Sequence, residues 1–182
     1  MKLINTSLQD AFIIRPKLFE DSRGLFFEAW NKENFNRETN LNISFVQENQ
    51  SISRFGVLRG LHYQLKNPQG KLVRVSHGKV LDVIVDLRKS SDTYGKHFSI
   101  ELSSESNTQL WIPPGMAHGF LTLSDHTIFN YLTTSYYDSS DEHTIIWNDN
   151  FLNIDWTYKD IIPKLSSKDK IGKTFEESEH YD

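Results

Sequence analysis

The sequence predicts an all-β fold, a sandwich or a barrel, on three observations. Short segments alternate apolar and polar residues with a period of two, and polar turns separate them. Aromatic residues make up 13% of the 182, led by 12 Phe and 7 Tyr, types that suit a pleated surface. Helical periodicity is scarce. With no internal repeat, homopolymeric tract or linker, residues 1–182 read as a single domain. The acidic tail from about residue 174 is expected to be loosely held.

The elements follow in chain order. Asn31 to Thr39 suits a short helix. Strands are expected at Val57 to Gln64 and at Lys71 to Val75. Ser76-His77-Gly78-Lys79 then reads as the turn of a hairpin into Val80 to Leu87. That last segment has the clearest pattern: Leu81, Val83, Val85 and Leu87 share one face, and Asp82, Ile84 and Asp86 the other. Further strands are expected at His97 to Leu102, Gln109 to Ile112, Gly119 to Leu123, Ile128 to Thr134 and Thr144 to Trp147. From Trp156 onwards the chain reads as irregular, with at most one turn of helix.

Composition excludes several functions. There are no cysteines, so disulfides, thiolate metal sites and cysteine nucleophiles are out. The net charge of −4 gives no electrostatic case for nucleic acid or an anionic membrane. No apolar run approaches the roughly 18 residues of a membrane span, and Met1 to Asn5 does not open a signal peptide. A soluble cytoplasmic protein is the expectation.

Seven histidines raise the question of a metal. A cupin-type site wants His-x-His, a carboxylate a few residues on, and a distant third histidine. Here His62-Tyr63-Gln64 puts a glutamine in the second position, and the next ionisable residues are Lys66 and Lys71. Pro113-Pro114-Gly115-Met116-Ala117-His118 matches only the distant half. Two histidines without a third ligand argue against a metal while supporting the fold. His77, His97, His126, His143 and His180 have turn-like or polar neighbours, and most read as ordinary surface residues.

A second set of polar residues falls where a barrel would want apolar ones: Arg59, His62, Lys71, His118, Tyr131 and the Lys168-Asp169 pair. Each has an ordinary explanation, as a solvated strand end, a loop residue or a core phenol bonded to a carbonyl. Arg59 and His62, three apart, would face opposite ways on a regular strand. Either Gly60 supplies a bulge that re-aims one of them, or Arg59 faces solvent. Taken together, the set is a base, a phenolic acid and several cations. That combination suits proton abstraction beside a carbonyl, with donors or cations receiving the enolate charge.

The chain resembles the dTDP-4-dehydrorhamnose 3,5-epimerase family from about Ile14 to Asp169. The segments that carry the resemblance include Asp21-Ser22-Arg23-Gly24, Gln47-Glu48-Asn49-Gln50-Ser51, Gly56-Val57-Leu58-Arg59-Gly60-Leu61-His62-Tyr63-Gln64 and Gln69-Gly70-Lys71-Leu72-Val73-Arg74-Val75. They continue with Asp82 to Arg88, Leu110-Trp111-Ile112-Pro113, Ala117-His118-Gly119-Phe120, Trp147-Asn148-Asp149 and Lys168-Asp169. The resemblance implies a double-stranded β-helix, a cupin-like jelly roll with a few short helices, working as a homodimer without metal or cofactor. It implies a nucleotide-linked 4-keto-6-deoxyhexose as substrate, inverted at C3 and C5 through enolates. In that reading His62 is the base, Asp169 its orienting carboxylate, Tyr131 the proton donor and Lys71 the enolate-stabilising cation. Arg59, His118 and Lys168 hold sugar and pyrophosphate. Arg23, Glu28, Gln47, Asn49, Tyr137 and Glu142 contact nucleotide and substrate, Arg23 and Glu28 serving the neighbouring subunit through exchanged N-terminal strands.

The chain departs from the family pattern at Leu132, Ile128, Met116 and Pro68. These positions bear on which sugar is accepted and whether both centres invert. Three alternatives follow: a C3-only epimerase for another nucleotide-linked 4-keto-6-deoxysugar, a non-catalytic sugar-nucleotide-binding cupin, and a metal-dependent cupin oxygenase.

Overall fold

The computed structural model describes residues 1–156 and 161–182. The chain runs β1 (Lys2–Asn5), β2 (Phe12–Arg15), β3 (Leu18–Asp21), β4 (Gly24–Phe27), α1 (Lys32–Thr39), β5 (Gln47–Ser53), β6 (Leu58–Gln64) and β7 (Lys71–His77). It continues with β8 (Lys79–Asp86), β9 (His97–Ser103), β10 (Gln109–Ile112), β11 (Met116–Thr122), β12 (Thr127–Thr133) and β13 (Glu142–Thr144). Two antiparallel sheets result, one ordered β1-β2-β10-β7-β12-β5 and the other β13-β6-β11-β8-β9. The β3–β4 hairpin stands apart as a third, two-stranded sheet. This is the expected jelly roll. Among the described residues no helix is long and apolar enough to cross a membrane.

The alternation in β8 explains its place. Val80 and Ile84 face the six-stranded sheet and share a core with Val73, Val75, Leu110, Ile112 and Phe129. Val83, Val85 and Leu87 face the other way and pack with Leu58, Leu61, Leu121, Trp156 and Phe175. A sheet covered on both faces needs apolar residues on both. A third cluster of Ile14, Phe35, Leu72 and Trp111 seals the outer face of the six-stranded sheet under α1. That helix begins where expected, because the Asn31 side chain accepts from Asn34 N–H at 3.0 Å, and it ends at Asn40 in the left-handed region.

Three expectations need correction. β7 and β8 do not form a hairpin: β7 pairs with β10 and β12, and β8 with β11 and β9. The turn at Gly78 carries the chain from one sheet to the other, and alternation cannot tell a hairpin from such a crossing. The last strand lies at Glu142–Thr144, earlier than predicted, and Ile145 just beyond it still exchanges backbone hydrogen bonds with Leu61 while bridging Lys173 on its other side.

The tail is also not loosely held. Phe175 is buried and stacks on Phe151 with ring centroids 4.9 Å apart. The Tyr63 hydroxyl donates to the Glu179 carbonyl at 2.8 Å, and Tyr181 donates to the Gln64 carbonyl. The acidic side chains face water while the aromatic ones clamp the back of β6. The stretch after Trp156 is irregular as expected where it is described, and its part at 157–160 lies outside the described residues.

Candidate active site

The bulge in β6 builds the site. Pairing of β6 with β11 shifts register between His118↔His62 and Phe120↔Arg59, so both Arg59 and His62 reach one cavity. Gly60 makes the shift possible at φ +118°. A Cβ there would strike Gly119 Cα and sit 2.7 Å from the His118 carbonyl oxygen. The reading in which Arg59 merely faces solvent is therefore set aside.

The cavity has a volume of about 390 Å³ and opens between the two sheets. The five-stranded sheet and its flank supply Arg59, His62, His118, Glu142 and Lys168. The six-stranded sheet supplies Gln47, Asn49, Lys71 and Tyr131, and the loop after it supplies Tyr137. His62 and Tyr131 thus stand on opposing walls. Arg23 and Glu28 are not brought there. Arg23 is paired with Asp21 at 2.6 Å at the tip of the β3–β4 hairpin, its side chain 88% exposed. Glu28 accepts from Asn31 and Asn34 beside α1.

His62 Nε2 lies 2.6 Å from Asp169 Oδ1. The carboxylate accepts from Nε2–H, which leaves the imidazole lone pair on Nδ1. Asp169 is itself held by Ser166 Oγ, which donates to Oδ2 at 2.6 Å. Burial pushes its pKa up, but the hydrogen bonds from His62 and Ser166 outweigh that and hold it below the usual carboxylate range. Asp169 therefore stays ionised behind the imidazole.

Lys71 is buried in the wall, and desolvation lowers its pKa to about 8 against the pull of the Glu142 and Asp82 carboxylates. Burial raises the pKa of Tyr131, with the Glu142 charge adding to it and Arg59 opposing. The phenol keeps its proton at neutral pH. At the mouth, Glu142 bridges Lys168 at 2.6 Å and the Tyr137 hydroxyl at 2.8 Å. Arg59 donates to Ser53 Oγ, and Gln47 to Asn49 Oδ1.

Sequence reasoning missed Asp82 as a site residue. It is fully buried, accepts from His118 Nε2 at 2.9 Å through Oδ2, and leaves Oδ1 without a partner among the described residues. The signal was available, since a carboxylate on the inner face of an apolar strand is costly unless it serves something. Gln64 was weighed only as a failed metal ligand. Among the described residues no three His, Cys, Asp or Glu side chains gather as a metal site, and both cavity histidines are committed to single carboxylates. Of the other histidines, His143 is an exception to the surface reading: it stacks on Tyr63 with centroids 5.2 Å apart.

A jelly roll whose cavity opposes a histidine–aspartate pair to a phenol, with a buried ammonium beside them, has the make-up of a proton-transferring isomerase. Comparison with known proteins narrows this. The family model described as dTDP-4-dehydrorhamnose 3,5-epimerase matches residues 5–177. The enzyme of that name from Salmonella typhimurium is 48% identical, with 93% of this chain and 92% of that one covered. Its counterpart from Pseudomonas aeruginosa is 46% identical over 98% of both. The crystal structure of dTDP-6-deoxy-D-glucose-3,5-epimerase from Legionella pneumophila, in complex with dTDP-4-keto-L-rhamnose, has a TM-score of 0.94 at 42% identity, covering 98% of this chain and 94% of that one. The chain belongs to the dTDP-4-dehydrorhamnose 3,5-epimerase family, and it is an isomerase.

Proposed function

We propose that the protein inverts dTDP-4-dehydro-6-deoxy-D-glucose at C3 and C5, giving dTDP-4-dehydro-L-rhamnose. One observation carries the mechanism: base and phenol rise from opposing sheets of a single cavity that also holds a buried ammonium. The C4 ketone acidifies the C–H bonds at C3 and C5. His62 takes a proton from one face, and Asp169 stabilises the imidazolium that forms. Lys71 meets the negative charge developing on the C4 oxygen. Tyr131 returns a proton to the other face, and the centre inverts. Arg59, His118 and Lys168 hold sugar and pyrophosphate, while Gln47, Asn49, Tyr137 and Glu142 take the nucleotide end.

Incubation with this substrate in D2O tests the reading, followed at each carbon by NMR. Deuterium is expected at both C3 and C5. Label at C3 alone would establish the C3-only alternative, and no label at either would leave a binding protein. Tyr131→Phe is expected to keep exchange while losing net inversion at one or both centres. Equal loss of the two would remove Tyr131 as the donor.

The working unit in this proposal is a homodimer with exchanged N-terminal strands. Its support is the separate β3–β4 hairpin, on which Phe19 and Phe26 are 50% and 70% exposed and which holds Arg23 away from its own cavity. Such an apolar ribbon asks for a cover. A second copy would bury it and receive Arg23 and Glu28. Sedimentation equilibrium is expected to give twice the chain mass, and a monomer mass would end the idea.

A further inference from the structure

Two residues beyond His62, Gln64 occupies the position that a metal-binding cupin gives to its second histidine. Here the side chain is 3% exposed, and each of its polar groups is used. Nε2 donates to the Asn67 carbonyl at 3.0 Å and to the Tyr136 carbonyl at 3.2 Å. Oε1 accepts from Asp138 N–H at 2.9 Å. One amide therefore ties two loops to β6. It brackets Tyr137, whose ring is half exposed and whose other anchors are the Gln47 side chain and Glu142.

We infer that Gln64 is a positioning residue for substrate affinity, setting the Tyr136–Asp138 loop and so holding Tyr137 and Glu142 at the cavity mouth. Only a primary amide can serve two carbonyl oxygens and one N–H from a single side chain of this length. A carboxylate would turn an oxygen on both carbonyls and leave them unpaired in a buried place. The proposed reaction takes place at His62, Lys71 and Tyr131, which share the cavity with Gln64 but which its amide does not bond. Its removal should therefore act on binding far more than on turnover. The inference rests on the proposed role of Tyr137 in holding the nucleotide sugar.

The test is steady-state kinetics with dTDP-4-keto-6-deoxyglucose on the full chain. Gln64→Glu is expected to raise KM by about 10-fold or more while kcat stays within about 3-fold. Gln64→Met, which keeps the volume and adds no charge, is expected to show the same split should the glutamate variant fail to fold. In a Tyr137→Ala background, itself raised in KM, Gln64→Met should add nothing, because both changes remove one device. Three results would overturn the inference. One is an unchanged KM in the Gln64 variants, and another is effects that multiply in the double variant. The third is a loss confined to kcat, which would mean that Gln64 acts on the chemistry. An unchanged KM in Tyr137→Ala alone would instead remove the role of Tyr137, and the inference would fall with its premise.

Discussion

His62→Ala is expected to lose about 10²–10⁴-fold in kcat, the span that positioned acid–base groups usually supply. The loss should fall on solvent exchange at both carbons equally, because no proton leaves either centre without the base. Asp169→Asn should approach it, on the order of 10²–10⁴-fold, since an amide neither selects the tautomer nor stabilises the imidazolium. Binding of dTDP should hold within a few-fold in both variants, as calorimetry would record. A variant that bound normally yet still exchanged label at C3 or C5 would move the base elsewhere in the cavity. The second histidine pair, His118 with Asp82, would be the place to look.

Lys71→Met should have two opposite effects. One missing donor to the developing oxyanion should cost about 10²–10³-fold in kcat. Stability should rise, because desolvation lowers the lysine to about 8 in the fold against an ordinary value of 10.5. The folded chain binds the proton less tightly than the unfolded one, so stability of the unsubstituted protein climbs as pH rises from about 8 to 10.5. Below that window the penalty is complete, on the order of 3 kcal/mol. Denaturant unfolding at pH 7 should show Lys71→Met as the more stable protein, without the alkaline climb. The rate of the unsubstituted enzyme should fall as pH passes upward through about 8, while Lys71→Arg should keep its activity, reduced in level, to higher pH. If Lys71→Met altered KM alone, the lysine would be a binding group.

How far the fold was legible follows from which faces were apolar. β8 is buried on both sides and its pattern was plain, whereas β11, buried throughout, was legible only from Gly119 onwards. The strand β5, Gln47 to Ser53, was missed although its burial alternates, because Gln47, Asn49 and Ser51 line a polar cavity. A strand that serves the site on one face and water on the other carries no hydrophobic period. The strands β1 to β4 have four residues each, too few to establish a pattern. At the site, Gly60 raised the bulge as one of two readings of Arg59, and spacing could not choose between them until the register of β6 against β11 was seen. No spacing could join His62 to Asp169 across 107 residues, and only the family resemblance paired them. The tail was misjudged because its charges hid its aromatic residues. Charge decides which side of a segment faces water, whereas Phe175 and Tyr181 decide where it docks.

That docked tail bears on the order in which the molecule is made. β6 carries His62 and emerges from the ribosome well before the segment of Phe175 and Tyr181 that docks on its back. On the ribosome the two sheets can close while the rear of β6 remains bare. The back wall is finished only once the segment from Phe175 to Tyr181 has followed. A nascent epimerase is thus a barrel waiting for Phe175 and Tyr181, and loss of those two rings would press on that late step more than on the closure of the sheets.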